Sequence, residues 1–313
     1  MNGLLVIDKP AGLTSHDVVG RVRHILHERR VGHTGTLDPF ATGVLLVLLG
    51  RATRLAQFLS ADDKEYDAII RLGYATETGD ITGAPLSEPG ATTGWTEDQL
   101  ESAMASLRGD IEQTPPMYSA KKIGGRKLYE LARRGEEVDR KPIRVCIHEF
   151  APIRPGGQLI KDNRDGTFDF HVHVRCSSGT YVRTLAEDFG KRLSIGAHLA
   201  ELKRTSVGNF HLADAITVEQ LKTRFAEQAL GTVVVSPEAA LSDMPFVHLS
   251  DSDAQKAQHG MEVETKAAWA DGTTVRMCNQ SGELLAIGDY RADKQRLHPR
   301  VVIAPPEERS TFR

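Results

Sequence analysis

Cysteine is scarce in this 313-residue chain, and what there is does not pair: Cys146, Cys176 and Cys278 stand far apart with no CxxC spacing. That argues against a disulfide framework or a cysteine-rich zinc site and fits a reducing compartment. Long apolar runs are missing too. No segment approaches the ~20 residues that cross a bilayer. The sequence opens without a basic leader and apolar stretch, so a cytoplasmic protein with no membrane partner is expected. Nor is positive charge in excess: 39 Lys and Arg against 42 Asp and Glu give a formal net charge of -3. Any nucleic-acid surface therefore has to be a local basic patch. Neither GxGxxG nor a glycine followed by Gly-Lys-Ser/Thr occurs where glycines cluster, which leaves a phosphate-cradling loop without support.

What is present centres on GHTGTLDPFATGVLLVLLG, from Gly32 to Gly50. Pro39 pushes Asp38 out of helical geometry, and Gly32, Gly35 and Gly43 permit backbone shapes and close approaches that a β-carbon resists. The six apolar residues from Val44 to Leu49 read as a strand covered on both faces. A small-residue loop carrying one carboxylate on a rigid strand is a good mount for chemistry.

Around it the chain alternates strand and helix signals. A strand is expected over 4–7, then a helix capped by Thr14 with Asp17 three residues on and carrying Arg29 and Arg30 in its last turn. A short helix over 52–60 and a strand over 66–72 follow. Residues 79–94 read as a loop, Thr96 with Gln99 caps another helix, and Gly109 stops it. Residues 119–144 hold nine basic and four acidic side chains, a pattern that suits either a solvated amphipathic helix or a basic insertion. Strands are expected over 144–147 and 168–176, the second alternating cleanly, with His171 and His173 on one face but no third metal ligand at sensible spacing. A helix over 181–193 places Arg183 in its first turn, where the helix dipole opposes a cation, so Arg183 asks for a carboxylate. Beyond 217 come a capped helix to about 230, a helix start at Ser236-Pro237, a polar helix over 251–259, and strands over 273–277, 284–287 and 301–303.

His33, Thr34, Gly35, Leu37, Asp38, Pro39, Ala41, Thr42 and Gly43 together resemble the catalytic motif of the TruB family of tRNA pseudouridine synthases. GLLVIDKPAGLTSHDVV from Gly3, DDKEYDAIIRLG from Asp62, PPMYSAKKIGGRKLYELARRG from Pro115 and CSSGTYVRTLAEDFG from Cys176 resemble the family's other blocks, in its order. Two small departures are Lys203 before Arg204, where the family often has two arginines, and Ser194-Ile195 before Gly196.

The resemblance implies an α+β fold: a mixed, largely antiparallel sheet flanked by helices. It implies a catalytic domain over 1–241, with an RNA-contacting insertion at about 113–142, and a small β-rich PUA-like RNA-binding domain over 242–313. The implied reaction converts uridine 55 in the T-loop of tRNA to pseudouridine on a flipped-out base, without metal or organic cofactor. Asp38 is the implied catalytic carboxylate, Arg183 its ion-pair partner, and Tyr66 a stacking platform and candidate base. His33, Tyr181 and Leu202 contact the RNA or the target base. A monomer acting on the T-arm with no obligate protein partner is expected. The competing readings are a guide-RNA-dependent pseudouridine synthase subunit and a non-catalytic tRNA chaperone. A glycosidase is disfavoured because no second carboxylate stands out as a partner for Asp38.

Overall fold

The computed structural model describes residues 1–90, 94–119, 121–132, 134–136 and 138–304. Ala91, Thr92 and Thr93 of the expected 79–94 loop, Ala120, Arg133 and Glu137 of the expected insertion, and residues 305–313 lie outside the described residues. Seven strands run side by side: β1 Gly3–Lys9, β2 Thr42–Leu49, β3 Lys64–Gly73, β4 Gly109–Gln113, β5 Ile143–Pro152, β6 Phe168–Cys176 and β7 Gly196–Val207. Their order is β1-β2-β7-β3-β6-β5-β4, with short strands at the margins. Every join in that path is antiparallel except β2 with β7, where Lys203 and Arg204 lie parallel to Thr42 and Gly43. This is the mixed, largely antiparallel sheet of an α+β protein.

Four helices cover it: α1 Ser15–Leu26, α2 Glu97–Ala105, α3 Val182–Arg192 and α4 Val218–Ala226. The apolar run of β2 is buried throughout because its two faces meet different partners. Leu45, Val47 and Leu49 pack with Val18, Val19 and Val22 of α1, whereas Val44, Leu46 and Leu48 pack with Leu4 and Val6. Each such side chain contributes about 1.5–3 kcal/mol relative to exposure, which makes β2 a rigid base for the loop before it. Thr14, Thr96 and Thr217 all form full capping boxes, with Asp17, Gln99 and Gln220.

Several expectations need correction. α1 ends at Leu26, with His27 left-handed (φ 51). Arg29 and Arg30 therefore lie beyond the helix, and its last turn carries Arg23 and His24. The 52–60 segment is a 3-10 turn, Gly50–Leu55, followed by one α-helical turn, Ala56–Leu59. The basic segment is no amphipathic helix: Lys122–Ile123 pairs with Arg126–Lys127 around Gly124 and Gly125, whose positive φ makes a hairpin turn, and a short helix Leu128–Ala132 follows. After Gly109 the chain enters the polar edge strand β4, which has too few apolar residues to announce itself.

A second sheet of five strands follows: β8 Phe246–His248, β9 Val263–Glu264, β10 Thr274–Cys278, β11 Leu284–Arg291 and β12 Arg296–Val302, ordered β8-β10-β11-β12-β9. One of its faces packs on the helix Asp251–Gln258. From the other side Cys278, Leu284, Ile287 and Ile303 join the cluster that holds Leu4, Val6, Val44 and Leu46.

Candidate active site

The loop before β2 is held from several directions, and Asp38 is the side chain it presents. Leu37 N–H donates to Ser15 Oγ at 2.9 Å, and Ser15 Oγ donates to Leu37 O at 3.2 Å. Lys9, fully buried, donates from Nζ to the carbonyls of Pro10 (2.9 Å), Leu13 (2.7 Å) and Pro39 (3.4 Å). At Gly43 (φ 97) a β-carbon would run into the carbonyl of Arg204 on the parallel neighbour β7. A glycine is the residue that fits there.

Arg183, at the start of α3, meets Asp38 side-on: Nε lies 3.0 Å from Oδ2, and Nη2 lies 3.2 Å from Oδ1. The arginine side chain is 6% exposed and that of Asp38 31%. Arg183 also donates to Thr78 O (2.8 Å) and Tyr118 O (2.6 Å), and its Nη1 lies 3.5 Å from Oδ2 of buried Asp80. Asp80 is itself fixed, its Oδ1 accepting from Thr78 Oγ1 (2.8 Å), Thr82 N (3.0 Å) and Thr82 Oγ1 (2.6 Å). The sequence reading missed Asp80. Its signal was a threonine two residues to either side, the pattern of a carboxylate bonded to its own turn, together with an arginine whose position called for negative charge.

Asp38 and Arg183 line two adjoining cavities. The smaller, about 260 Å³, also holds Tyr66, Tyr181 and Leu202. It lies just under the usual range for small-molecule sites. The larger, about 530 Å³, is lined by His16, His33, Phe40, Tyr118 and Tyr129. The structure thus gathers Asp38, Arg183, Tyr66, Tyr181 and Leu202 around one space and sets His33 in the next. There the ring of His33 meets His16 edge-on at 6.0 Å, and among the described residues its Nδ1 has no hydrogen-bond partner. Tyr181 precedes α3 without a side-chain cap. Gln113 of β4 holds its backbone instead, accepting from Tyr181 N (2.9 Å) and donating to Tyr181 O (3.3 Å).

Burial pushes the Asp38 carboxyl above the usual carboxylate range, and Arg183 pulls it back; Asp80 adds to the push and Lys9 to the pull. Burial likewise raises Tyr66, against the guanidinium of Arg204, and lowers His33. Burial lowers Lys9 from 10.5 to about 8, against the attraction of Asp38. Between those values the unfolded chain binds the extra proton, so Lys9 makes stability rise with pH across that window. Urea unfolding is expected to show this rise in the wild type and a smaller one in Lys9→Met; parallel curves would show that Lys9 titrates normally. Among the described residues no group of three or more His, Cys, Asp and Glu is arranged to hold a metal ion. His173 of the expected exposed face contacts Asp67, Nδ1 to Oδ1 at 2.9 Å.

The family model described as TruB family pseudouridylate synthase (N terminal domain) matches residues 23–182, and the one described as tRNA pseudouridylate synthase B C-terminal domain matches 183–242. The chain is similar to a tRNA pseudouridine synthase B of Bacillus cytotoxicus, 38% identical over 98% of this chain and 99% of that protein. It is 44% identical to one of Geobacillus thermodenitrificans over 83% of this chain and 85% of that one. Among solved structures it resembles a chain of a Cbf5-Nop10-Gar1 complex, with a TM-score of 0.73 and 26% identity over 97% of this chain and 85% of that one. A chain of an archaeal box H/ACA sRNP Nop10-Cbf5 complex gives 0.71 and 25%, over 97% and 87%.

Proposed function

The chain belongs to the TruB family of pseudouridylate synthases, and from that footing we propose that it isomerises uridine 55 in the T-loop of tRNA, with Asp38 as nucleophile. The observation that carries the proposal is the Asp38 carboxylate, gripped by buried Arg183 at a cavity that Tyr66 and Leu202 also line. The reaction breaks the bond from ribose C1′ to ring N1 and makes one from C1′ to C5. It needs no net oxidation and no energy input. A cation that keeps the carboxylate ionised and oriented, an apolar and aromatic slot for the ring, and a base for the C5 proton are enough.

In this proposal Leu202 and Tyr66 sandwich the uracil, Tyr181 touches the nucleotide beside Asp38, and His33 stands against the RNA where the base departs. Flipping the base costs a few kcal/mol, which stacking in the slot offsets. Tyr66 has a second role, removing the C5 proton. That asks its phenol to ionise, which burial opposes and Arg204 favours. Residues 1–241 act as the catalytic domain and 242–313 as a PUA-like RNA-binding domain, in a cytoplasmic monomer with the tRNA T-arm as partner. The identities of 38% and 44% to proteins named tRNA pseudouridine synthase B, against 26% to the Cbf5-containing complex, favour the stand-alone enzyme over a guide-dependent subunit.

The test is tritium release from a T-arm stem-loop labelled at C5 of its uridines, without added metal or nucleotide. Release with pseudouridine at the T-loop position is the expected result. A folded protein that binds this RNA and releases nothing would sink the proposal and favour a guide-dependent or chaperone role.

A further inference from the structure

Two cations at the smaller cavity take no part in the Asp38–Arg183 pair. Arg204 of β7 is 1% exposed and Lys64 of β3 is 7% exposed, and both line the cavity that holds Asp38, Tyr66 and Leu202. Apart from the contact of Arg204 with the Tyr66 hydroxyl, their hydrogen bonds go to backbone carbonyls. Arg204 donates from Nε to Val44 O (2.7 Å) and from Nη2 to Gly35 O (3.3 Å), and Lys64 donates from Nζ to Ser60 O (3.2 Å) and to Asp62 O. Among the described residues neither has a carboxylate at ion-pair distance. Burial first, and then the charge of Arg204, lowers Lys64, with Asp62, Cys176 and Asp63 opposing. The guanidinium of Arg204 also stands beside the Tyr66 hydroxyl.

Two desolvated like charges gain from an anion placed against them, and fixed charges in a dry site act strongly on charge that develops during a reaction. We propose that Lys64 and Arg204 take up the negative charge that the uracil ring carries while it is detached from the sugar. This rests on the reading of the cavity as a pseudouridine-forming site. When the C1′–N1 bond breaks, its electron pair stays on the ring, spread over N1, O2 and O4, and an Asp38 oxygen bonds C1′. After the ring turns, C5 supplies a pair to C1′ and the Asp38 oxygen leaves with its own. The C5 proton is then lost to a base and N1 gains one, so atoms and electrons balance without an added reagent. The ring is an anion between the two bond changes, and that interval is when the two cations lower its energy.

The experiment uses the full chain under single turnover. Lys64→Met is expected to slow tritium release by on the order of 10²-fold with T-arm affinity unchanged, and Lys64→Arg to recover part of the loss. A second RNA carries 5-fluorouridine at the target, whose ring holds negative charge more readily; consumption of that nucleoside reports bond cleavage. The Lys64→Met penalty should shrink on this RNA. An equal penalty on both RNAs, or a wild-type rate in Lys64→Met, would overturn the charge role. Arg204→Met also removes bonds to β2 and the catalytic loop, so it is read only if its unfolding midpoint matches wild type, and Lys64→Met decides the matter alone otherwise. Failure of the wild type to convert the unmodified T-arm would be failure of the proposed function, a different result from any of these.

Discussion

Asp38→Asn is expected to lower pseudouridine formation by at least about 10⁴-fold, the scale seen when a nucleophile is removed from an otherwise intact site, while tRNA binding stays near the wild-type value. The asparagine keeps the shape of the side chain, and the loop that carries it is held by Ser15 and Lys9 through backbone groups that the substitution leaves alone. Arg183 retains Asp80 and two carbonyl acceptors. Chemistry and binding should therefore separate. Filter binding and single-turnover assays on the same preparation check this, and a loss of affinity as large as the loss of rate would count against a catalytic Asp38.

Arg183→Met should damage both rate and stability, because it leaves buried Asp80 and partly exposed Asp38 without their shared cation. Breaking one partner out of a buried pair costs about 3–5 kcal/mol, which urea unfolding would read. Arg183→Lys is the sharper chemical probe. Its single ammonium cannot span two carboxylate oxygens and a second carboxylate as the guanidinium fork does. With less pull from the cation, the already raised Asp38 rises further. Catalysis by the ionised carboxylate is then lost as pH falls through a higher value, so the acid limb of kcat/KM should move to higher pH. An acid limb identical to wild type would mean that some other group sets it.

How much of this was legible in the sequence depended on range. Capping boxes at Thr14, Thr96 and Thr217 were readable because donor and acceptor are three residues apart. Strand β6 was readable to the residue because its alternation is a property of the strand itself. β4 and β8 were not, since one is a polar edge and the other is three residues long, and both exist only through pairing with distant partners. The site divides the same way. The Asp38 motif and the other family blocks named Asp38, Arg183, Tyr66, Tyr181 and Leu202 by resemblance. Asp80 lies 103 residues from Arg183, and the bond from Arg204 to Val44 spans 160; the threonines beside Asp80 mark it as a turn carboxylate, but nothing local names its partner. Lys9 ends strand β1, and only the folded chain shows its ammonium donating to the carbonyl of Pro39.

The cluster that joins Leu4 and Val6 to Leu284, Ile287 and Ile303 bears on how the protein is made. On that side Leu4 and Val6 are covered partly by Ala52, Leu55 and Leu59, which follow soon after them, and partly by residues of the second sheet far along the chain. Until the second sheet is made, the part of this apolar cluster that Cys278, Leu284, Ile287 and Ile303 complete stays open, at a stage when nascent chains are exposed to aggregation. A ribosome stalled near residue 245 should therefore carry a chain that recruits chaperones more strongly than one stalled past the full sequence. The second sheet would then act as the closing piece of the first as well as a separate surface.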